Sequence, residues 1–204
     1  GVNAVSVLES DRGYELFFGF TDGRGLNCLA GGIAHYMFDG TSLTKVTVDD
    51  SVGVVSNYIV AVDNELFSGA YFMCTSGMGR ISVDGTVEII NDSIAEVHAA
   101  PLLVNGDTFY LASYTKGKDL YTVGLDGRVT SQVAMPLDNY NMSPVVLIGS
   151  YTFVGNDDGF AVIYGDYPVE APPVGPTGNW YDAWLIALGA LAAAIIAVYL
   201  IGRF

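Results

Sequence analysis

Positive charge is scarce in this sequence. Its 204 residues hold 22 Asp and Glu but only 8 Lys and Arg, a formal net charge of -14. That balance excludes nucleic acid as a partner, because phosphates find almost no cations to meet. It would also be repelled by anionic headgroups, so a basic surface cannot hold the chain to a membrane. Charged residues of both signs reach only 15% against 51% hydrophobic, which excludes a disordered acidic tail. The plain reading is an acidic or salt-adapted surface. Acidic partners are disfavoured, and a cationic partner or divalent ion is permitted without being indicated.

Catalytic and ligating residues are equally sparse. The two histidines, His35 and His98, are flanked by small or apolar residues with no second ligand at metal spacing, so both read as core histidines rather than zinc ligands. Cys28 and Cys74 do not form the Cys-x-x-Cys-His of a covalently held haem. No Gly-x-Ser-x-Gly elbow occurs, and Gly23-Arg24-Gly25 and Gly77-Met78-Gly79 are too short for a phosphate loop. Asp49-Asp50 and Asn156-Asp157-Asp158-Gly159 lack the alternating ligands and distal Glu of a calcium loop and read as turns. Glycosidase chemistry needs two opposed carboxylates, which cannot be singled out among 22 acids. No catalytic, cofactor-binding or metal-binding residue is therefore assigned, and no cofactor is expected.

The longest apolar run is Ala183 to Ile201, without a charge or a proline. As a helix rising ~1.5 Å per residue it spans roughly 28 Å, close to the hydrocarbon thickness of a bilayer. It is read as a transmembrane helix within residues 180–204, with membrane lipid as its partner. Arg203 follows it, while Asp182 and an acid-rich region precede it, which puts the C-terminus in the cytoplasm and residues 1–166 outside. The opening Gly1-Val2-Asn3, with no Met and no basic-apolar leader, is as expected after removal of a secretory signal. Two sequons, at Asn91 and Asn141, fit an external location as glycosylation acceptors, although Pro144 makes the second a poor one. Trp180, Tyr181 and Trp184 stand where an aromatic belt meets headgroups, with Tyr199 and Arg203 at the other interface. Gly189 with Ala193, and Ala190 with Ala194, form small-xxx-small pairs that permit helix packing, though an Ala-rich helix holds such pairs by chance. Pro168, Pro172, Pro173 and Pro176 stiffen a linker over residues 167–179.

Before residue 168 helical periodicity is almost absent. Short runs of Val, Ile, Leu, Phe and Tyr are broken by Gly, Asn or Asp, the pattern of an all-β domain. Asp-Gly turns recur at Asp39, Asp84 and Asp126, spaced 45 and then 42 residues apart, with a degenerate Gly165-Asp166 beyond. Asp63-Asn64, Asn105-Gly106 and Gly149-Ser150 each place a turn before an aromatic strand, and Asp11-Arg12-Gly13 begins the series less cleanly. Pro101 and Pro144 each open a strand, where a missing N–H is tolerated. A period near 42 with four strands per unit is what a propeller blade requires. In the third unit the strands are expected near 101–105, 108–114, 120–125 and 128–134.

The segment from Ser143-Pro-Val-Val to Ala161-Val-Ile-Tyr164 resembles a blade of the quinoprotein-like β-propellers, and the earlier units match it more loosely. The resemblance covers about Ala4 to Asp166. It implies a propeller fold shared by quinone-dependent dehydrogenases and non-enzymatic envelope scaffolds. Those enzymes carry repeated blade tryptophans, whereas Trp180 and Trp184 are the only ones here. Cys28 and Cys74 lie almost one repeat apart, so a disulfide between neighbouring blades and two buried thiols are both open. Four units are counted, the last without its fourth strand. Either Val2–Leu8 supplies that strand and closes a four-bladed ring, or a larger ring is completed by another copy, another polypeptide or a further N-terminal region.

Three functions follow as expectations. The first is a membrane-anchored extracytoplasmic scaffold or protein-binding subunit, whose partners are other subunits or further copies of itself. The second is a structural subunit of a surface layer or filament packed through its C-terminal helix. The third is a quinoprotein-like or hydrolytic enzyme domain. The anchor is tested by Ala193→Arg, which should prevent stable insertion at a cost of ~2.5 to 3.5 kcal/mol; unchanged membrane fractionation would remove the anchor from the account.

Overall fold

The computed structural model describes residues 1–21, 30–94, 102–114, 119–135, 143–149, 151–156 and 159–164. The chain divides into two units, Gly1–Val169 and Glu170–Phe204, and every described residue lies in the first. The expected transmembrane helix and the Pro-rich linker at 167–179 lie outside the described residues. Among the described residues, no helix is long and apolar enough to cross a membrane.

Among the described residues, fifteen strands form four antiparallel sheets, each a meander whose spatial order follows the chain. Sheet I holds β1 (Val2–Ser10), β2 (Gly13–Thr21), β3 (Gly31–Phe38) and β4 (Leu43–Asp49). Sheet II holds β5 (Val55–Asp63), β6 (Ser68–Cys74), β7 (Gly77–Ser82) and β8 (Val87–Asn91). Sheet III holds β9 (Leu102–Val104), β10 (Thr108–Ala112), β11 (Asp119–Gly124) and β12 (Val129–Ala134). Among the described residues sheet IV has three strands, β13 (Val146–Ile148), β14 (Tyr151–Asn156) and β15 (Gly159–Tyr164). Successive four-stranded meanders of this kind make a β-propeller-like fold.

The expected third-unit strands match β9 to β12 to within a few residues. One expectation is corrected: the N-terminal strand does not complete the last unit. β1 pairs with β2 from Ser10↔Gly13 to Val2↔Phe20 and so opens sheet I. The reason is local, because the tight turn at Asp11-Arg12 brings β2 back beside β1 before any distant edge can compete.

The Asp-Gly turns are built alike. Each joins the third strand of a sheet to the fourth, with glycine at positive φ: 93° at Gly40, 90° at Gly85 and 82° at Gly127. The preceding carboxylate caps the turn. Asp39 Oδ1 accepts from the Thr41 and Ser42 amides at 2.8 Å, Asp84 Oδ1 from Thr86 N at 2.9 Å, and Asp126 Oδ1 from Arg128 N at 3.0 Å. The Ser82 hydroxyl also donates to Asp84, and these bonds hold its carboxyl down to about 2. The Thr41 and Ser42 bonds likewise lower Asp39.

Packing follows from strand alternation. Successive side chains point to opposite faces, and in the second strand of sheets II and III both faces are buried. Along β6, Ala70, Phe72 and Cys74 pack with Phe17 and Ile33 of sheet I, while Tyr71 and Met73 pack with Phe109 and Leu111 of sheet III. Along β10, Tyr110 and Ala112 turn the other way, onto Val154 of sheet IV and Val145 just before it. The crossovers repeat as well: Val52, Ile94 and Met135 each leave an outer strand and bury into the junction ahead. Tyr71 centres one junction, its ring 4.8 Å from Phe109 and its hydroxyl donating to Leu125 O at 3.0 Å.

Phe109→Ala should lower the unfolding free energy by roughly 3–5 kcal/mol, the cost of an emptied aromatic site. Tyr71→Phe keeps the ring and should cost about 1 kcal/mol for one hydrogen bond. Urea unfolding of the full chain in detergent measures both.

Candidate functional site

The polar groups with the most unusual surroundings lie between sheets I and II. Glu15 on β2 and His35 on β3 both point into the junction, two residues apart in register, because Phe17 pairs with His35 and Glu15 with Met37. Both side chains are fully buried. His35 Nε2 lies 2.8 Å from Glu15 Oε2, and the imidazole stacks on Phe17 at 4.6 Å between centroids. Glu15 Oε1 accepts from Arg12 Nη2 at 2.7 Å and from Ser10 Oγ at 3.0 Å. Arg12, half exposed, reaches on to donate to Val83 O of sheet II at 3.3 Å.

The two ionisation states follow. Burial pushes the Glu15 carboxyl up, but hydrogen bonds from His35, Ser10 and Arg12, together with the Arg12 charge, outweigh it and hold the group below its ordinary value. Burial pushes the His35 imidazole down, and the hydrogen bond to Glu15 recovers only part of that. The pair is thus an ionised carboxylate accepting the Nε2–H of a neutral imidazole. That tautomer leaves Nδ1 as an acceptor, buried and without a partner. That nitrogen is closed off from solvent, while the bond between His35 and Glu15 ties β3 to β2.

Beside it an open cleft of about 330 Å³ is lined by Ser10, Asp11, Arg12, Glu15, Asp63, Ser68, Val83 and Asp84. Four carboxylates surround one guanidinium there. Among the described residues no group of three or more His, Cys, Asp or Glu side chains is placed to hold a metal ion.

Of the residues singled out in the sequence, Cys74 ends β6 on the face toward sheet I. Its buried thiol donates to Gly77 O at 3.4 Å, and burial pushes its pKa up; Cys28 lies outside the described residues. Asn91 ends β8 with both halves of its amide engaged. Its Nδ2 donates to Gly127 O at 2.7 Å, and its oxygen accepts from Ser93 N at 2.8 Å, so a glycan there would displace a tie between sheets II and III. Asn141, His98, Trp180, Tyr181, Trp184, Gly189, Ala190, Ala193, Ala194, Tyr199 and Arg203 lie outside the described residues.

The Glu15–His35 pair is not singled out by sequence reasoning. A signal does exist: Glu15 sits at the same parity as buried Phe17, where an unpartnered carboxylate is too costly. Identifying the partner needs the β2–β3 register, and no short turn fixes it.

Acid should destabilise the fold through both groups. Below about 6.5 the unfolded chain takes up a proton that folded His35 resists, so stability falls with pH in that window. Glu15 adds a further loss as pH falls below about 4.5, through its lowered folded value. His35→Gln should flatten the dependence of Tm on pH between 7 and 5 and leave the steeper loss below 4.5, as thermal melts across that range would record.

No protein-family model and no curated protein sequence matches this chain. Solved structures do. The computationally designed Ika4 protein superposes with a TM-score of 0.54 at 12% identity, over 80% of this chain and 91% of that one. A protein of unknown function from Bacteroides thetaiotaomicron VPI-5482 superposes with a TM-score of 0.52 at 17% identity, over 79% of this chain but only 47% of that one. Virginiamycin B lyase from Staphylococcus aureus reaches a TM-score of 0.44 at 14% identity, over 82% and 71% of the two chains. At these identities the likeness to the first two is one of fold alone.

Proposed function

We propose that this protein is a membrane-anchored, extracytoplasmic propeller-like subunit that binds or scaffolds other proteins of a cell envelope. The observation that carries the reading is apolar surface left uncovered on the end sheets. On sheet I, Val5 and Val7 are 59% and 52% exposed; on sheet IV, Ile148 and Tyr151 are 56% and 48% exposed. The inner junctions bury equivalent side chains almost completely. Contiguous apolar surface on a soluble domain marks an interaction site.

The uncharged run from Ala183 to Ile201 supports the anchor, and Arg203 beyond it supports an external domain. The Ser143–Tyr164 pattern supports the quinoprotein-like repeat type. The net charge of -14 fits a partner met through apolar faces better than one met through phosphate or anionic lipid.

Protease added to intact cells expressing the full chain, with an epitope tag after Phe204, tests the topology. The tag with its adjoining helix should survive while residues 1–166 are digested. A domain digested only after lysis would overturn the external placement.

A further inference from the structure

We propose that Asn105 is a site of self-catalysed covalent modification that needs no partner and only water. Its side chain is deamidated by the Gly106 nitrogen, and the isoaspartate that results releases the Asn64 tie between sheets II and III.

Asn105 is the only asparagine in the chain followed by glycine. It lies in the turn between β9 and β10, where residues 105–107 are all exposed. Asn105 and Gly106 both hold positive φ, 53° and 73°, and Asp107 N donates to Val104 O at 3.2 Å. That is a type I′ turn. A type II′ turn keeps the first φ and differs by a flip of the peptide plane between the two central residues, which carries the first ψ to about −120°. At that ψ the Gly106 nitrogen eclipses Cβ and faces the Asn105 Cγ across a five-membered ring. Among the described residues Asn105 alone, glycines aside, has the positive φ from which one flip reaches this geometry.

Nothing at Gly106 opposes the flip. A Cβ built there meets no atom within 4 Å. Its one hydrogen bond among the described residues is at the carbonyl, which accepts from Asn64 Nδ2 of the preceding sheet at 3.1 Å, so its nitrogen is free to attack. The Asp-Gly turns are protected by contrast. Gly85 N donates to Ser82 O and Gly127 N to Gly124 O, each at 2.9 Å. The Asp39 and Asp84 carboxyls are kept ionised by the bonds they accept, and a carboxylate is a far poorer electrophile than a carboxamide.

The atoms balance with water as the only reagent. The Gly106 nitrogen forms a bond to Cγ, the Cγ–Nδ2 bond breaks, and ammonia leaves with the proton that Gly106 N gives up. Water opens the succinimide at either carbonyl, giving aspartate or isoaspartate at position 105, and both add a negative charge beside Asp107. Isoaspartate also carries the main chain through Cβ, one bond longer, while the ladder holds the arms of the turn together at Val104↔Thr108. The added length is taken up at Gly106, whose carbonyl moves off Asn64.

The test is peptide mapping by mass spectrometry of the full chain in detergent, held for weeks at mildly alkaline pH in water enriched in oxygen-18. Heavy oxygen should enter residue 105 several-fold faster than any other asparagine position, with isoaspartate identified by electron-based fragmentation. Gly106→Ala, whose methyl crowds the attacking nitrogen, should slow that entry several-fold. In the converted fraction, separated by its extra charge, the Leu66 and Phe67 amides that Asn64 Oδ1 caps at 2.9 Å should exchange with deuterium several-fold faster than in the intact protein. Entry at residue 105 no faster than elsewhere, entry undiminished in Gly106→Ala, or conversion confined to a urea-unfolded sample would overturn the site. Unchanged exchange at Leu66 and Phe67 would overturn the release of the tie. Should Gly106→Ala fail to fold, the order in which the asparagines of the unaltered protein convert decides.

Discussion

Burial on both faces of the middle strands is the constraint from which the rest follows. A strand such as Ala70-Tyr71-Phe72-Met73-Cys74 has no solvent side, so its sheet cannot stand alone and must lie between two others. Burying an aromatic or aliphatic side chain contributes about 1.5–3 kcal/mol, and each inner sheet gains it from both directions. Stability is therefore shared between neighbours, as in any stacked repeat. Among the described residues, hydrophobic clusters join sheet I to II, II to III and III to IV.

Apolar contact is not directional, and polar bonds at the sheet margins supply the alignment. Thr47 to Gly85, Asn91 to Gly127 and Asn64 to Gly106 are side-chain-to-carbonyl bonds between adjacent sheets. Arg12 to Val83 does the same work beside the Glu15–His35 pair. A typical bond of this kind contributes only about 1 kcal/mol, but at the part-buried Thr47 and Asn91 bonds an unpaired partner costs more, whereas the Asn64 and Arg12 bonds are exposed. Slippage of sheet II against its neighbours is penalised through that asymmetry at Thr47 and Asn91.

The turns are legible in the sequence because their chemistry is local. An Asp followed by Gly declares both a capping carboxylate and a positive φ within two residues, and three such pairs near a 42-residue spacing are enough to expect repeated meanders. The aromatic second strands are legible for a related reason, since an unbroken apolar run of five residues is too short for a buried helix and fits a strand covered on both faces. The side of each strand that meets each neighbour is not legible, because it depends on register across loops of no fixed geometry. The Glu15–His35 contact needs that register, and so does the placement of Val2–Ser10. Its apolar positions suit either edge of a sheet, and the neighbouring hairpin decides between them.

The alternation of preceding and following faces also bears on how such a chain arises. Because every junction has the same polarity, a gene segment coding for one unit can be duplicated in tandem, and the added unit fits between its neighbours without altering theirs. Chains of different length then become successive stages of one process of lengthening.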